Sequence, residues 1–350
     1  MNDVVMALYS DRLFMAAVGV YVLAMVLHAA EYATSVSTRT PAAQAVAVGA
    51  GPGGALRADA AAGGAADDEP VNGDAGPARG RGRADRLGGA AVNLVVLGAV
   101  LQLGSIVARG LATDRWPLGN MYEFTSVFCL AAVVTWLVVL RTSIRRGAAA
   151  PRGARGGRLV AGSVAAPGLR VVGLFVLLPV VILLFLAGTV LYARAAPVVP
   201  ALRSYWLVVH VTTITTSSGL LVVPGVASLL YLLRTSREGS LTERLPTAAA
   251  LDRLAYRVTI VAFPLYTFGV IAGAVWAEAA WGRFWGWDPK ETVAFVAWVI
   301  YAAYLHARAT AGWRSGGAAW VNVLGLAAVV FNLFFINLVV AGLHSYAGVN

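Results

Sequence analysis

The sequence is short of charge. Asp, Glu, Lys and Arg together make up 13% of its 350 residues, about half of the roughly 25% usual in soluble domains. Water is therefore excluded as the solvent for most of the surface. Cysteine is nearly absent as well: Cys129 is the only one, and it sits inside an apolar run. Disulfides, thiolate metal clusters and attachment of a group through paired cysteines on this chain are all ruled out. Lysine occurs once, at position 290, while the other 26 of the 27 basic residues are arginine. The formal charge of +10 does not indicate nucleic acid as a partner, because the basic residues lie in short connections between apolar runs.

What fills the chain is apolar sequence, 59% of all residues. Several uncharged runs reach the ~20 residues that a helix needs to cross a bilayer, and none alternates polarity as a barrel strand would. The predicted fold is all-α, a polytopic membrane helical bundle of about eight spans: 12–34, 89–109, 121–141, 170–193, 205–233, 255–277, 291–310 and 319–343. The first run is too long for a removable signal peptide and lacks its small-residue cleavage site, so it reads as a retained anchor. Residues 39–88, an Ala/Gly tract ending in Arg79, Arg81 and Arg83, have no apolar periodicity and read as a disordered cytoplasmic loop. The connection after span three carries Arg141, Arg145, Arg146, Arg152, Arg155, Arg158 and Arg170 with no acid, which makes it cytoplasmic. By alternation both termini lie outside, with loops 110–120, 194–204 and 278–290.

This topology sorts the four histidines by depth. His210 falls at the outer start of span five and His344 just past the outer end of span eight, so both can face one extracytoplasmic space. Two neutral imidazoles are a common pair of axial ligands to haem iron. Between them in sequence runs Trp281-Gly282-Arg283-Phe284-Trp285-Gly286-Trp287-Asp288-Pro289-Lys290-Glu291. Four aromatic rings within seven residues exceed what an interfacial belt provides, and they suit an apolar platform against a porphyrin face or vinyl edge. A helix cap accounts for Asp288-Pro289 but not for the tryptophans.

This loop resembles the tryptophan-rich "WWD" signature of haem-handling cytochrome c biogenesis proteins. Trp116 to Phe124 (WPLGNMYEF), Val199 to Val211, Tyr304 to Arg308 and Gly342 to Ala347 resemble segments of the CcsA/ResC branch, system II. The likeness runs from span two to the C-terminus and implies a haem-handling membrane domain over 89–350. It also implies that haem b is held non-covalently at the outer face of the cell membrane, as the substrate of a cytochrome c synthase. His210 and His344 match the family's two outer iron ligands, with Trp281, Gly282, Trp285, Trp287 and Asp288 as the surrounding loop. His306, near the cytoplasmic end of span seven, matches the family's membrane-buried histidine and implies a second, inner position. The implied partners are a CcsB/ResB-type membrane protein, an apocytochrome c with its CxxCH motif, and thiol-reducing proteins that keep those cysteines reduced. Arg115, Arg194, Arg203, Arg283 and Lys290 are candidate partners for the haem propionates, with no ranking among them.

His28, at a depth comparable to His306, reads as a helix-end histidine beside Glu31. Asn120 and Glu123 suit a capping box at the start of span three, and the Thr212 to Ser218 hydroxyls suit close helix packing. A secondary transporter would show repeats and broken midplane helices. A membrane di-haem electron carrier would pair histidines across both leaflets and leave the tryptophan loop without a role.

Overall fold

A computed structural model of the chain describes residues 2–37, 76–149, 166–196, 204–236, 239, 242–310 and 316–344. The described residues form helices α1 (Asn2–Ser37), α2 (Gly76–Thr113), α3 (Met121–Ala149), α4 (Ala166–Thr189), α5 (Tyr205–Leu220) and α6 (Val222–Ser236). They are followed by α7 (Ala248–Trp281), α8 (Pro289–Thr310), α9 (Gly316–Phe331) and the short α10 (Asn337–Val339). A π-helical turn, Asn332–Ile336, joins the last two. No strand occurs among the described residues. Among the described residues, eight helical segments are long and apolar enough to cross a membrane, with α5–α6 and α9–α10 each counting as one. The chain is a multi-pass membrane protein, as its composition required.

Met15, Leu23 and Val26 on α1, Val100 and Leu103 on α2, Ile182 and Phe185 on α4, and Phe268 and Ile271 on α7 are all exposed. An apolar surface of that breadth is stable only against lipid. The interior uses small residues and polar links instead. Ser10 and Ser105 exchange hydrogen bonds between α1 and α2 at 2.8 and 2.9 Å. The Tyr21 hydroxyl donates to Gln102 Oε1, whose amide donates onward to the Ser126 carbonyl of α3. Such links replace the hydrophobic driving force that lipid removes between helices.

Two departures from the expected spans have local causes. Span five breaks into α5 and α6 at Leu221, because Pro224 has no N–H to give to the Leu220 carbonyl. α2 begins at Gly76, inside the stretch read as a loop, and the earlier part of that stretch, 39–75, lies outside the described residues. In the assembled bundle α1 packs on α2 and α4, α3 on α4 and α5, and α5 on α7, while α8 lies against α9 and α7. The ends of α5, α7, α8 and α9–α10 thus meet at the end of the bundle that carries the tryptophan loop.

Candidate functional site

One face of α7 prepares the place for His210. Gly269, Gly273 and Trp276 are spaced four and three residues apart, so they stack along one side of the helix. His210 Nδ1 lies 2.8 Å from the Gly269 carbonyl oxygen. That oxygen only accepts, so Nδ1 carries the proton and the neutral ring keeps its lone pair on Nε2. A Cβ at position 273 would stand 2.6 Å from the His210 ring, so only glycine leaves room for it. Trp276, 2% exposed, lies parallel to His210 with ring centres 6.2 Å apart. It also meets Trp281 edge-on at 4.7 Å and His344 at 6.1 Å.

Gly282, in the left-handed conformation at φ 71°, ends α7 and donates to the Glu278 carbonyl. Six residues later Asp288 caps α8. Its Oδ2 accepts from the Lys290 amide at 3.2 Å, and Glu291 reaches back to accept from the Asp288 and Gly286 amides at 3.2 and 2.8 Å. With Pro289 at the first helical position this is a capping box.

The same Asp288 carboxylate holds the C-terminal segment. Oδ1 accepts from the Leu343 amide and Oδ2 faces His344 Nδ1, each at 2.9 Å. A carboxylate accepts only, so His344, like His210, keeps its lone pair on Nε2. A Cβ at Gly342 would stand 2.7 Å from Asp288 Oδ1, so the segment closes on the carboxylate only with glycine there.

Burial alone would raise the Asp288 pKa. The hydrogen bonds from His344 and from the Leu343 and Lys290 amides outweigh it and hold the carboxyl at about 2. Burial pushes the His344 imidazole below its ordinary value, with Lys290 adding to the effect and Asp288 opposing it. The ring is therefore neutral at pH 7, where the amides and the Nδ1 proton keep Asp288 ionised.

His210 and His344 both line a cavity of about 320 Å³, together with Trp276, Lys290 and Asn332. Those five also border a smaller compartment of about 80 Å³, walled by Trp281, Phe284 and Trp285. The structure thus brings His210, His344, Trp281, Trp285 and Asp288 together. Trp287 is directed elsewhere: it is 66% exposed, adopts φ 58°, and packs on Trp285 and Phe295 outside both compartments.

Trp116 roofs the larger compartment by donating to the Thr212 hydroxyl, two residues past His210. Its loop is set by Glu123. Asn120 caps α3 as expected, accepting from the Glu123 amide at 3.0 Å. The Glu123 carboxylate, however, turns to the Gly119 amide at 2.7 Å, to Arg115 at 2.8 and 2.9 Å and to Arg109 at 3.2 Å.

His306 is exposed on the surface of α8, toward the opposite end of the bundle. His28 is buried on α1, with Glu31 Oε2 at 3.3 Å from its Nδ1 and Trp136 edge-on at 5.6 Å. Glu31 in turn pairs with Arg170 at 3.1 Å. α1 and α8 pack on different neighbours, so these two histidines do not form a pair.

Sequence reasoning missed Trp276, Gly269, Gly273 and Asn332. The signal for the first three was their spacing, and for Asn332 an amide in the midst of an apolar span.

The fold and site define a multi-pass membrane protein with two neutral imidazoles converging on one cavity. Residues 159–344 match the family model described as Cytochrome C assembly protein. The cytochrome c biogenesis protein CcsA of Parasynechococcus marenigrum (strain WH8102) is 35% identical over 72% of this chain and 85% of its own length. The CcsA of Chlamydomonas reinhardtii is 40% identical over 45% of each chain. The chain belongs to the cytochrome c assembly family. A solved structure, the cytochrome c haem lyase CcmF, shares the fold at TM-score 0.58 and 15% identity, covering 94% of this chain and 46% of CcmF.

Proposed function

We propose that the cavity receives haem b as a substrate, with the iron between His210 Nε2 and His344 Nε2, and presents its vinyl groups for attachment to an apocytochrome c. One observation carries this reading: two imidazoles on separate elements converge on one cavity, each with Nδ1 turned to an acceptor. That arrangement fixes the tautomer and orientation a metal ligand needs. Trp276, Trp281 and Trp285 supply the apolar walls suited to a porphyrin.

The reaction itself needs no nucleophile from this chain. Each CxxCH cysteine adds its S–H across one haem vinyl. A carbon–sulfur bond forms at one vinyl carbon, the proton ends on the other, and the electron count is unchanged. The protein's contribution is orientation and exclusion of water. Release follows when the CxxCH histidine displaces one of the two imidazoles. Thiol-reducing proteins keep the cysteines in the reacting form.

The tryptophan loop and the cavity face the extracytoplasmic side of the bacterial cell membrane, and residues 89–350 act as the haem-handling unit. The exposed His306 belongs to a second, inner haem position, completed by a CcsB/ResB-type partner packed against α8. A membrane di-haem carrier is disfavoured because His28 is committed to Glu31 and does not pair with His306.

The test is the absorption spectrum of the purified protein loaded with haem. A low-spin signal should survive His306→Ala and be lost in His210→Ala and His344→Ala. Unchanged low-spin haem in both outer variants defeats the proposal. Yield of an apocytochrome c matured with and without a CcsB/ResB-type protein tests the partner.

A further inference from the structure

Five cations were candidate partners for the acidic groups of the substrate, and the structure separates them. Arg115 lines the larger compartment, but its guanidinium is spent on the Glu123 carboxylate and on the Trp116 and Ala196 carbonyls. Arg283 lies 4.0 Å from Glu291 and lines neither compartment. Arg194 is exposed and lines neither, and Arg203 lies outside the described residues.

Lys290 differs from all of these. It borders both compartments, in the wall it shares with His210 and His344. Its Nζ donates to Asn337 Oδ1, and no ion pair reaches it among the described residues. The nearby Asp288 carboxylate is already taken up by three N–H groups. Asn337 is itself fixed, donating to Met121 Sδ and the Leu333 carbonyl at 2.9 Å. Asn332, on the π-helical turn, grips the Lys290 carbonyl at 3.2 Å. An ammonium held by the Asn337 amide, on a backbone pinned by Asn332, with two protons left for the cavity, is costly until an anion arrives. π-helical turns of this kind often mark functional sites.

We infer that the Lys290 ammonium, positioned by Asn337, is the receptor for a propionate of the bound haem and sets which edge of the porphyrin faces it. This rests on the haem reading above. Haem b carries its two propionates on one edge and its vinyls away from them. Anchoring a propionate at Lys290 therefore turns the vinyls toward the other walls of the cavity, where the thiols must reach. Lys290 acts as a specificity determinant for orientation, leaving the iron to the histidines.

The experiment compares haem b with its dimethyl ester, which keeps iron and vinyls but has no carboxylate. Both are titrated into the purified full-length protein and followed by the low-spin Soret band. Wild type should bind the free acid about tenfold more tightly than the ester, the scale of one hydrogen bond to a charged group. Lys290→Met should bring the acid down to the affinity of the ester and leave the ester unchanged, while Lys290→Arg keeps the preference. Equal affinity of acid and ester in wild type overturns the inference, as does a preference surviving in Lys290→Met. The wild-type comparison decides even where the Met variant fails to fold. Absence of any low-spin signal with either compound overturns the haem reading instead.

Discussion

His344 reaches the Asp288 carboxylate through Nδ1 at 2.9 Å, and that carboxylate is also the cap of α8. One side chain therefore starts a membrane helix and orients an imidazole 56 residues further on. The arrangement makes the acidic residue of the tryptophan loop an orienter of the imidazole, and in the proposed haem site the iron is left to that ring.

This coupling gives a pH profile. The Asp288 pKa is lowered from 3.8 to about 2. Its contribution is complete above 3.8 and disappears as the pH falls toward 2. The His344 pKa lies below 6.5, so the folded site favours the neutral ring. Stability and haem binding should stay level from neutral pH down to 6.5, then fall as the pH drops through the lowered His344 value. Asp288→Asn should lower haem affinity about 10- to 100-fold, the usual loss when the partner of a metal-bound histidine is removed. Soret titrations from pH 8 to pH 4 on wild type and variant check both statements.

Gly273 offers a sharper probe of the other proposed ligand, His210. Alanine there puts a methyl 2.6 Å from His210 Cε1 and Nδ1, too close without displacement of the ring. Gly273→Ala should lose most of the low-spin signal while keeping a folded, monodisperse protein. Gly282→Ala, where nothing lies within 4 Å of an added Cβ but φ is 71°, should cost stability and leave the spectrum intact. Spectra and thermal melts in detergent separate the two effects.

Much of this was readable from residue patterns. The eight spans follow from run length, and span parity puts His210 and His344 at the same face. What could not be read was direction. Trp281, Trp285 and Trp287 alternate along a loop with no period, so the sequence does not say that Trp287 faces outward. Only the Glu291 grip on the Gly286 and Asp288 amides sets that course. Trp276 was missed for a different reason. Near a helix end it reads as an interfacial ring, and only its register with Gly269 and Gly273 reveals the shared face toward α5.

Glu123 supports the site from a distance. It and Arg109 are each 2% exposed, and the pair holds Arg115 and the Gly119 amide in place below Trp116. Removing one member of a buried pair strands the other charge, which typically costs about 3–5 kcal/mol. Glu123→Ala should lower the melting temperature markedly and loosen the Trp116 loop, read as faster proteolysis near residues 114–120. An unchanged melt would show that water reaches the arginines.

The tryptophans of the loop should divide in their response. Trp287 holds a left-handed φ of 58°, a conformation that costs a bulky residue about 1–3 kcal/mol. Its ring touches only the outer surface, against Trp285 and Phe295. Trp287→Gly should relieve the backbone, leave the melting temperature equal or higher, and leave the low-spin haem spectrum in place. Trp281→Ala removes a ring that contacts both Trp276 and His344, at 4.7 and 5.1 Å, and opens the wall of the smaller compartment. That variant should weaken haem binding and broaden the Soret band. If Trp287→Gly abolishes cytochrome c maturation while its spectrum is normal, the exposed ring serves the incoming apocytochrome. If it abolishes the spectrum, the loop closes over the substrate further than the geometry of the cavity indicates.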